Sequence, residues 1–329
     1  MRFHVRLFSR FTCAVALTAV GIVVAGPASA QQGYPSKPIE VIVASSAGGI
    51  LDTIGRIAAR GIERLGQPAV VKNLPGGGGT IGTAAVARAQ PDGYTVGAIA
   101  TSHVINPSIY ANLQYDTLKD FVNLTQMVEL TNVLVVHPSV PANNLEEFIA
   151  LAKAKPGELT FGSAGVGQSN HMSGELLQQE AKIKLVHVPY KGSAQALTDL
   201  VGGSISSMFV DALSAEPFIK SGKLKLIAAT GLKPSPAYPD YPTLNDSGLP
   251  GFNGNTWLGV VAPAGVSPEI VKKLHEAIQA EFNEPSVKER LNKQGVIPVA
   301  SSPEDFDKFV RSEIARWKTV TKAADIKSN

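Results

Sequence analysis

The chain has 329 residues, of which 44% are hydrophobic and 17% are charged, and its formal net charge is +3. The length exceeds what one ordinary domain needs, and the composition is that of a globular protein rather than a disordered one. The small net charge gives no indication of a nucleic-acid or anionic-membrane partner.

The first thirty residues have the composition of an export signal. Three arginines within the first ten residues precede a small and apolar run at 11–25, and an Ala-x-Ala sequence ends at Ala30. The apolar run is too short and has the wrong flanks for a membrane anchor. The pattern therefore predicts a signal peptide that is cleaved after Ala30.

Cleavage would change the charge and the cysteine content. The signal contains three arginines and no acid, which leaves 27 of the 30 basic side chains against 27 acidic ones. It also contains Cys13, the single cysteine. The mature chain would then have no cysteine, and so no disulfide, no thiolate nucleophile and no cysteine-based metal site.

Past a short linker, strand and helix patterns alternate along the chain. The predicted strands are 39–45, 69–73, 94–100, 132–138, 158–164, 184–190, 206–212, 224–230 and 256–263. The predicted helices are 54–65, 80–89, 145–155, 170–181, 194–201, 215–221, 268–282, 286–294 and 303–324. Asn144 followed by Glu147 predicts an N-terminal cap for the helix at 145–155.

Alternating strands and helices indicate parallel sheets covered on both faces. About ten strands would be unusual in one open sheet, so we predict an α/β protein with two doubly wound domains and a ligand cleft between them. The segments that begin at 132 and 256 each read as strand, proline-bearing turn and amphipathic helix. If the chain crosses between the two domains at these segments, one domain comprises 34–131 plus 254–329 and the second comprises 132–253. The alternative is that the segments are ordinary βα units, which share the same pattern.

A glycine-rich turn at 75–82, PGGGGTIG, contains the letters G-x-G-x-x-G. A dinucleotide site also needs an acid about 20 residues further on, at the end of the next strand, and that strand runs into Thr101-Ser102 without one. No basic residue lies between Pro75 and Ala87. The pattern therefore favours a tight strand-to-helix turn with positive φ angles over a nucleotide site.

Other strand ends are rich in hydroxyl groups and glycine amides. Ser45 to Gly49 precede the first helix, whose N-terminus would suit a carboxylate, and Ser163 to Asn170 repeat this design in the other domain. Thr101, Ser102, Lys191 and Asp211 also follow strands. A simpler alternative for the first turn is that Asp52 only caps the helix and the serine side chains form hydrogen bonds within the turn.

Patterns that indicate catalysis are scarce. No serine lies in a G-x-S-x-G turn, and the histidines of the mature chain have no metal-binding spacing. His171 and Glu175 could share a helix face, a spacing more typical of a surface or capping contact than of a metal or acid–base site. The sequence predicts recognition rather than bond breaking, with no catalytic residue, no metal and no cofactor.

Several segments together resemble the Bug-type receptors, the periplasmic substrate-binding proteins of tripartite tricarboxylate transporters. They include GGILDTIGR, LPGGGGTIG, AQPDGYTVG, FGSAGVGQSNHMSGE and VPYKGSAQAL, in family order over nearly the whole mature chain. The resemblance implies a two-domain Venus-flytrap fold that closes on a small carboxylate without catalysis. It further implies a periplasmic location, integral-membrane transporter subunits as partners, a monomer and no nucleic acid.

The resemblance and the strand-end pattern give one set of candidate ligand-binding residues. They are Ser45, Ser46, Ala47, Gly48, Gly49, Asp52, Thr101, Ser102, Ser163, Ala164, Gly165, Gln168, Ser169, Asn170, His171, Lys191 and Asp211. The family often has a proline-bearing turn, Pro-Phe-Pro-Pro-Gly-Gly, where this chain has Val43-Ala44-Ser45-Ser46-Ala47-Gly48-Gly49. This difference leaves the ligand open among aliphatic di- or tricarboxylates, aromatic acids and amino acids. The alternatives are an exported α/β enzyme, either a dehydrogenase or a hydrolase, and a sensory receptor with the same fold.

Overall fold

The computed structural model describes residues 33–326, so the predicted signal peptide lies outside the described residues. The strands are β1 (Ile39–Val43), β2 (Ala69–Asn73), β3 (Thr95–Ala100), β4 (Phe121–Leu130), β5 (Asn132–Val136), β6 (Thr160–Ser163), β7 (Val186–Pro189), β8 (Ser207–Asp211), β9 (Lys225–Ala229), β10 (Thr256–Pro263) and β11 (Val296–Pro298). The helices are α1 (Ile50–Glu63), α2 (Thr80–Ala87), α3 (Ser102–Ile109), α4 (Leu145–Ala154), α5 (Ser169–Ala181), α6 (Ser193–Val201), α7 (Ala212–Lys220), α8 (Pro268–Asn283), α9 (Pro285–Lys293) and α10 (Pro303–Ala323).

The strands form two mixed sheets. The first has the order β11-β4-β10-β3-β1-β2, and the second has the order β7-β6-β8-β5-β9. The parallel pairs are β1–β2, β1–β3, β6–β7 and β6–β8, and helices connect the consecutive strands β1, β2 and β3 and the consecutive strands β6, β7 and β8. The strands β4, β5, β10 and β11 instead pair antiparallel with their neighbours. The prediction of parallel sheets throughout is therefore wrong for these strands.

The antiparallel pairs arise where the chain passes between the sheets. Only Thr131 separates β4 from β5, so no crossover helix intervenes to bring the chain back in the same direction. The return passes from β9 to β10. The two crossings are bonded to each other, because the Thr230 amide donates to the Asn132 carbonyl at 2.9 Å and the Asn132 side chain donates to the Gly254 carbonyl at 3.0 Å.

Three elements were not predicted: β4, α3 and β11. In β4 the side chains of Asn123, Thr125 and Gln126 are buried among apolar residues and interrupt the hydrophobic pattern. Their burial is compatible with the fold because they are hydrogen bonded: Thr125 donates to the Ser301 carbonyl at 2.8 Å, and Asn123 donates to Asp307 at 3.0 Å. These partners lie far along the chain, so local sequence does not show them.

The C-terminal helix α10 packs against α3, β4 and α5, and so contacts elements of both sheets. Its Trp317 is buried, as is Trp257 in β10. The predicted cap of α4 is confirmed, since the Asn144 side chain accepts a hydrogen bond from the Glu147 amide at 2.9 Å. None of the described helices combines the length and the apolarity that a membrane crossing requires.

The glycine-rich turn between β2 and α2 has the backbone predicted for it. Gly76, Gly77, Gly78 and Gly79 have φ angles of 120°, 56°, 60° and 91°, a region that side chains with a Cβ rarely adopt. A Cβ on Gly82, in the first turn of α2, would lie 2.8 Å from both the Ala44 Cα and the Leu74 carbonyl oxygen. The glycines therefore shape a tight turn and a close approach of α2 to the end of β1.

We expect Gly82→Ala to lower the free energy of unfolding by about 2 kcal/mol, because the added methyl group meets backbone atoms that cannot move independently. Chemical denaturation monitored by tryptophan fluorescence would measure the change. Gly202→Ala is the control, since Gly202 has a φ of −77° and its Cβ would have only ordinary contacts beyond 3.4 Å. An equal loss in both variants would contradict the packing role of Gly82.

Candidate functional site

A cavity of about 600 Å³ lies between the two sheets, beside the crossings. Residues from both sheets surround it: Gly48, Gly49, Ile50, Thr53, Leu130, Thr131, Asn132, Ser169, Asn170, Ser193, Val210, Asp211, Ala212, Leu213, Ser214, Thr256, Gln294, Gly295 and Val296. This volume is in the range of pockets that hold small molecules.

Four helices begin at this cavity. Helices α1, α5 and α6 start at Ile50, Ser169 and Ser193, and the residue that precedes each helix makes no capping hydrogen bond through its side chain. In α5 one first-turn amide, that of His171, donates to the Asn170 side chain at 3.0 Å. Helix α7 differs, because the Asp211 carboxylate accepts a hydrogen bond from the Ser214 amide at 2.8 Å. An uncapped N-terminus presents backbone amides and a partial positive charge, which together favour an anion.

Asp52 stabilises the loop at residues 44–49, which precedes α1 and which we call the first loop. Its buried carboxylate accepts hydrogen bonds from the Gly48 amide at 2.9 Å, the Asn73 side chain at 3.0 Å and Arg56 at 3.1 Å. Burial alone would raise the pKa of the Asp52 carboxyl, but these three donors hold it below its ordinary value. Asp52 therefore fixes the Gly48 backbone and does not line the cavity itself.

Hydrogen-bonded side chains join the two sheets at one end of the cavity. Thr256 donates to the Ser169 hydroxyl at 3.1 Å and accepts from the Asn132 side chain at 3.0 Å. Asn170 accepts a hydrogen bond from the Ala164 amide at 3.1 Å. This bond orders the loop at residues 164–168, which precedes α5 and which we call the second loop. The amide group of Asn170 lies 3.4 Å from the Ser193 hydroxyl. We call Ser169, Asn170, Ser193 and Thr256 the polar end of the cavity.

A stack of two histidines supports the second loop from inside. The His171 and His187 rings lie 3.8 Å apart, and the fully buried Ser163 hydroxyl is 2.6 Å from His187 Nε2. Burial and, secondly, His171 lower the pKa of His187 to about 3, so the ring is neutral and shares a hydrogen bond with the Ser163 hydroxyl. His171 accepts from the Gly167 amide through Nδ1 and lies 3.4 Å from Glu175 through Nε2. The predicted pair of His171 and Glu175 thus exists, but inside the protein and not on its surface.

The structure brings together at the cavity five of the residues predicted from sequence: Gly48, Gly49, Ser169, Asn170 and Asp211. The others lie around it without lining it. They are Ser45, Ser46, Ala47 and Asp52 in or beneath the first loop, Ser163, Ala164, Gly165, Gln168 and His171 in or beneath the second, Thr101 and Ser102 at the end of β3, and Lys191 before α6.

Thr101 and Lys191, two of the residues that do not line the cavity, differ in burial. Thr101 is buried and bonded to the Trp257 backbone, accepting from its amide at 3.0 Å. Lys191 is exposed.

Sequence reasoning did not find the residues that the crossings and the α9–β11 turn contribute. They are Leu130, Thr131, Asn132, Thr256, Gln294, Gly295 and Val296. The predicted positions of the crossings were a usable signal for the first four, because in a two-domain α/β protein the connections lie at the base of the cleft. No local signal marks the turn at Gln294, which comes beside Thr131 only through the pairing of β11 with β4.

Among residues 33–326, no group of three or more His, Cys, Asp and Glu side chains is arranged to hold a metal ion. The family model of the tripartite tricarboxylate transporter family receptors matches residues 54–326, most of the chain. The chain belongs to this family. Family members are receptors, and the predicted resemblance is confirmed.

Individual relatives agree with this assignment. The chain is 34% identical to BugT of Bordetella pertussis over 92% of this chain and 94% of the relative. Among solved structures it is similar to the R. palustris protein Rpa4515 with adipate, with 31% identity, a TM-score of 0.78 and coverage of 89% and 99%. It is also similar to MatC from Rhodopseudomonas palustris with bound malate, with 31% identity, a TM-score of 0.74 and coverage of 87% and 99%. The α/β fold with two sheets is thus the periplasmic-binding-protein fold.

Two buried threonines at the crossings differ in their hydrogen bonds. The Thr131 hydroxyl has no partner among the described residues, whereas Thr230 donates to Asn132 and lies 2.8 Å from the Asn255 side-chain oxygen. We expect Thr131→Val to raise the free energy of unfolding by about 1 kcal/mol, because it removes an unpaired buried hydroxyl.

The matched control, Thr230→Val, should lower the same quantity by about 1–3 kcal/mol, because it leaves polar partners unpaired. Chemical denaturation of both variants would measure the difference. A destabilised Thr131→Val variant would show that the Thr131 hydroxyl does have a partner in solution.

Proposed function

We propose that the protein is a periplasmic receptor that captures a small organic carboxylate in the cavity between its two sheets. It delivers this ligand to the integral-membrane subunits of a tripartite tricarboxylate-type transporter. The observation that carries the proposal is the convergence of three uncapped helix N-termini, from both sheets, on one cavity. Relatives with adipate and with malate support the same ligand class.

The carboxylate would be held by backbone amides and hydroxyl groups, since neither lysine nor arginine is among the described residues that line the cavity. One oxygen would accept from the first turn of α1 at Gly49 and Ile50. The other would accept from the polar end, where Ser169 and Ser193 begin α5 and α6. A carboxylate that satisfies donors from both sheets stabilises the state in which the sheets approach each other.

The paired crossings are the proposed hinge. On this proposal, 34–131 plus 254–329 form one lobe and 132–253 form the other, and the chain enters at Thr131 and leaves near Gly254. Few backbone dihedral angles need to change, because the connections at the Asn132 crossing are short and the two crossings are hydrogen bonded to each other. The protein would act as a monomer, without nucleic acid, after cleavage of its signal peptide following Ala30.

We propose no catalysis and no cofactor. The Ser163–His187 pair has the hydrogen-bond distance of a nucleophile and its base, but three observations argue against that role. Ser163 is fully buried, neither residue lines the cavity, and a pKa of about 3 makes His187 a weak base. The pair is better explained as internal support for the second loop.

A thermal-shift screen of the purified protein against mono-, di- and tricarboxylates, amino acids and nucleotides tests the proposal. A carboxylate at about 100 times its dissociation constant should stabilise the protein by about 2.7 kcal/mol. Stabilisation by nucleotides and by no carboxylate would refute the proposed function.

A matched pair of variants tests the role of the α1 N-terminus. Gly49 has a φ of −79°, which proline adopts without strain, and a Cβ there would lie 3.7 Å from its nearest neighbour. We expect Gly49→Pro to fold and to lose the ligand-induced stabilisation, because it lacks the amide donor. Gly49→Ala keeps the amide and should keep most of the stabilisation. Equal retention in both variants would place the anion elsewhere.

A further inference from the structure

Apolar side chains also line the cavity, directly beside its polar end. Leu130 in β4 pairs in register with Val296 in β11, and the Ala212 amide donates to the Thr131 carbonyl at 2.9 Å. Leu130, Val210, Ala212, Leu213 and Val296 all line the cavity here. Leu130 also pairs in register with Thr256 of the polar end, so these residues, which we call the apolar side of the cavity, adjoin the polar end.

Two large apolar side chains of the cavity are exposed in this structure. Ile50, the first residue of α1, is 42% exposed, and Leu213, in the first turn of α7, is 43% exposed. They come from opposite sides of the cavity, one from each sheet's helices. Exposed apolar side chains that line a cavity are typical of a surface that an apolar ligand group covers.

Charge in the cavity disfavours a second anionic group. Asp211 is the one charged side chain among the described residues that line it, and it is partly buried. Only its Oδ1 atom caps α7, and no lysine or arginine of the lining offsets its charge. A second ligand carboxylate would therefore meet a negative charge and apolar side chains, with only uncharged polar groups such as Thr131, Ser214 and Gln294 beside them. It would bind there at a cost in both Coulomb energy and lost hydration.

We propose that the ligand is a monocarboxylate with an apolar body, aryl or alkyl, rather than a di- or tricarboxylate. This inference rests on the proposed function, because it assumes that the carboxylate binds at the uncapped helix N-termini. The body packs against the apolar side of the cavity and is covered by Ile50 and Leu213. These two residues determine specificity by excluding water from this side, and Asp211 does so by repelling a second carboxylate.

Hexanoate and adipate are the sharpest pair of probes, since they have equal carbon chains and differ in one terminal methyl or carboxylate group. Isothermal titration calorimetry should give hexanoate at least about tenfold tighter binding than adipate. In adipate a second carboxylate replaces the terminal methyl group that makes the apolar contact in hexanoate. 3-Phenylpropionate should follow hexanoate.

The outcomes separate this inference from the proposed function. Adipate, malate or citrate binding as tightly as hexanoate would overturn the inference and leave the proposed function intact. Binding by no carboxylate of the panel would overturn both.

Three variants assign the effect to residues. Leu213→Asn should weaken hexanoate binding about tenfold, because it removes the half-exposed apolar contact. Asp211→Asn keeps an oxygen to cap α7 and should reduce the preference for hexanoate over adipate about tenfold, since the repulsion is lost. The control is Leu232→Asn, at an apolar residue that is 49% exposed and does not line the cavity. An unchanged preference in both cavity variants, with folding verified by their melting curves, would contradict the inference.

Discussion

The hydrogen bonds between the two chain crossings are the constraint on which the rest of the structure depends. The chain leaves the first sheet at Thr131 and returns near Gly254, and Asn132 bonds both to the Gly254 carbonyl and to Thr256. Because this pairing holds the crossings together, the helices that follow β1, β6 and β8 begin around one shared space. The cavity is thus a consequence of topology before any side chain in it is considered.

That geometry explains why backbone donors can replace cationic side chains in the proposed site. Converging helix N-termini supply amides whose positions are already fixed by the helices, so little conformational entropy is lost when an anion binds. A buried lysine or arginine would have to lose its hydration as the sheets close, a cost that the attraction to the ligand often does not exceed. The support for the two loops is likewise set back from the cavity: Asp52 bonds to the Gly48 amide, and neutral His187 bonds to Ser163. The side chains that remain at the cavity surface are then free to determine specificity.

The sequence was a good guide to features that depend on neighbouring residues. The bounds of β2 and β10 and the Asn144 cap agree with the structure, because short runs that contain β-branched residues and a capping box are local signals. The Gly48–Gly49 turn was likewise visible before α1. By contrast, β4 and the α9–β11 turn depend on long-range pairing. Leu213 showed no local sign that its exposed side chain lines a cavity, because that depends on the position of the other sheet.

The two glycine-rich turns of the first sheet show why a sequence motif alone does not identify a binding site. The turn at Gly48 and Gly49 leads to an uncapped helix at the cavity, whereas the longer run at Gly76–Gly79 leads to α2 and does not line the cavity. The longer run nevertheless contacts the second sheet's loop, because a Cβ on Gly78 would lie 3.5 Å from the Gln168 side chain. Gln168 directly precedes α5, so the run lies beside the N-terminus of a helix that begins at the cavity. The run that resembles a nucleotide fingerprint is thus a neighbour of the site and does not line it.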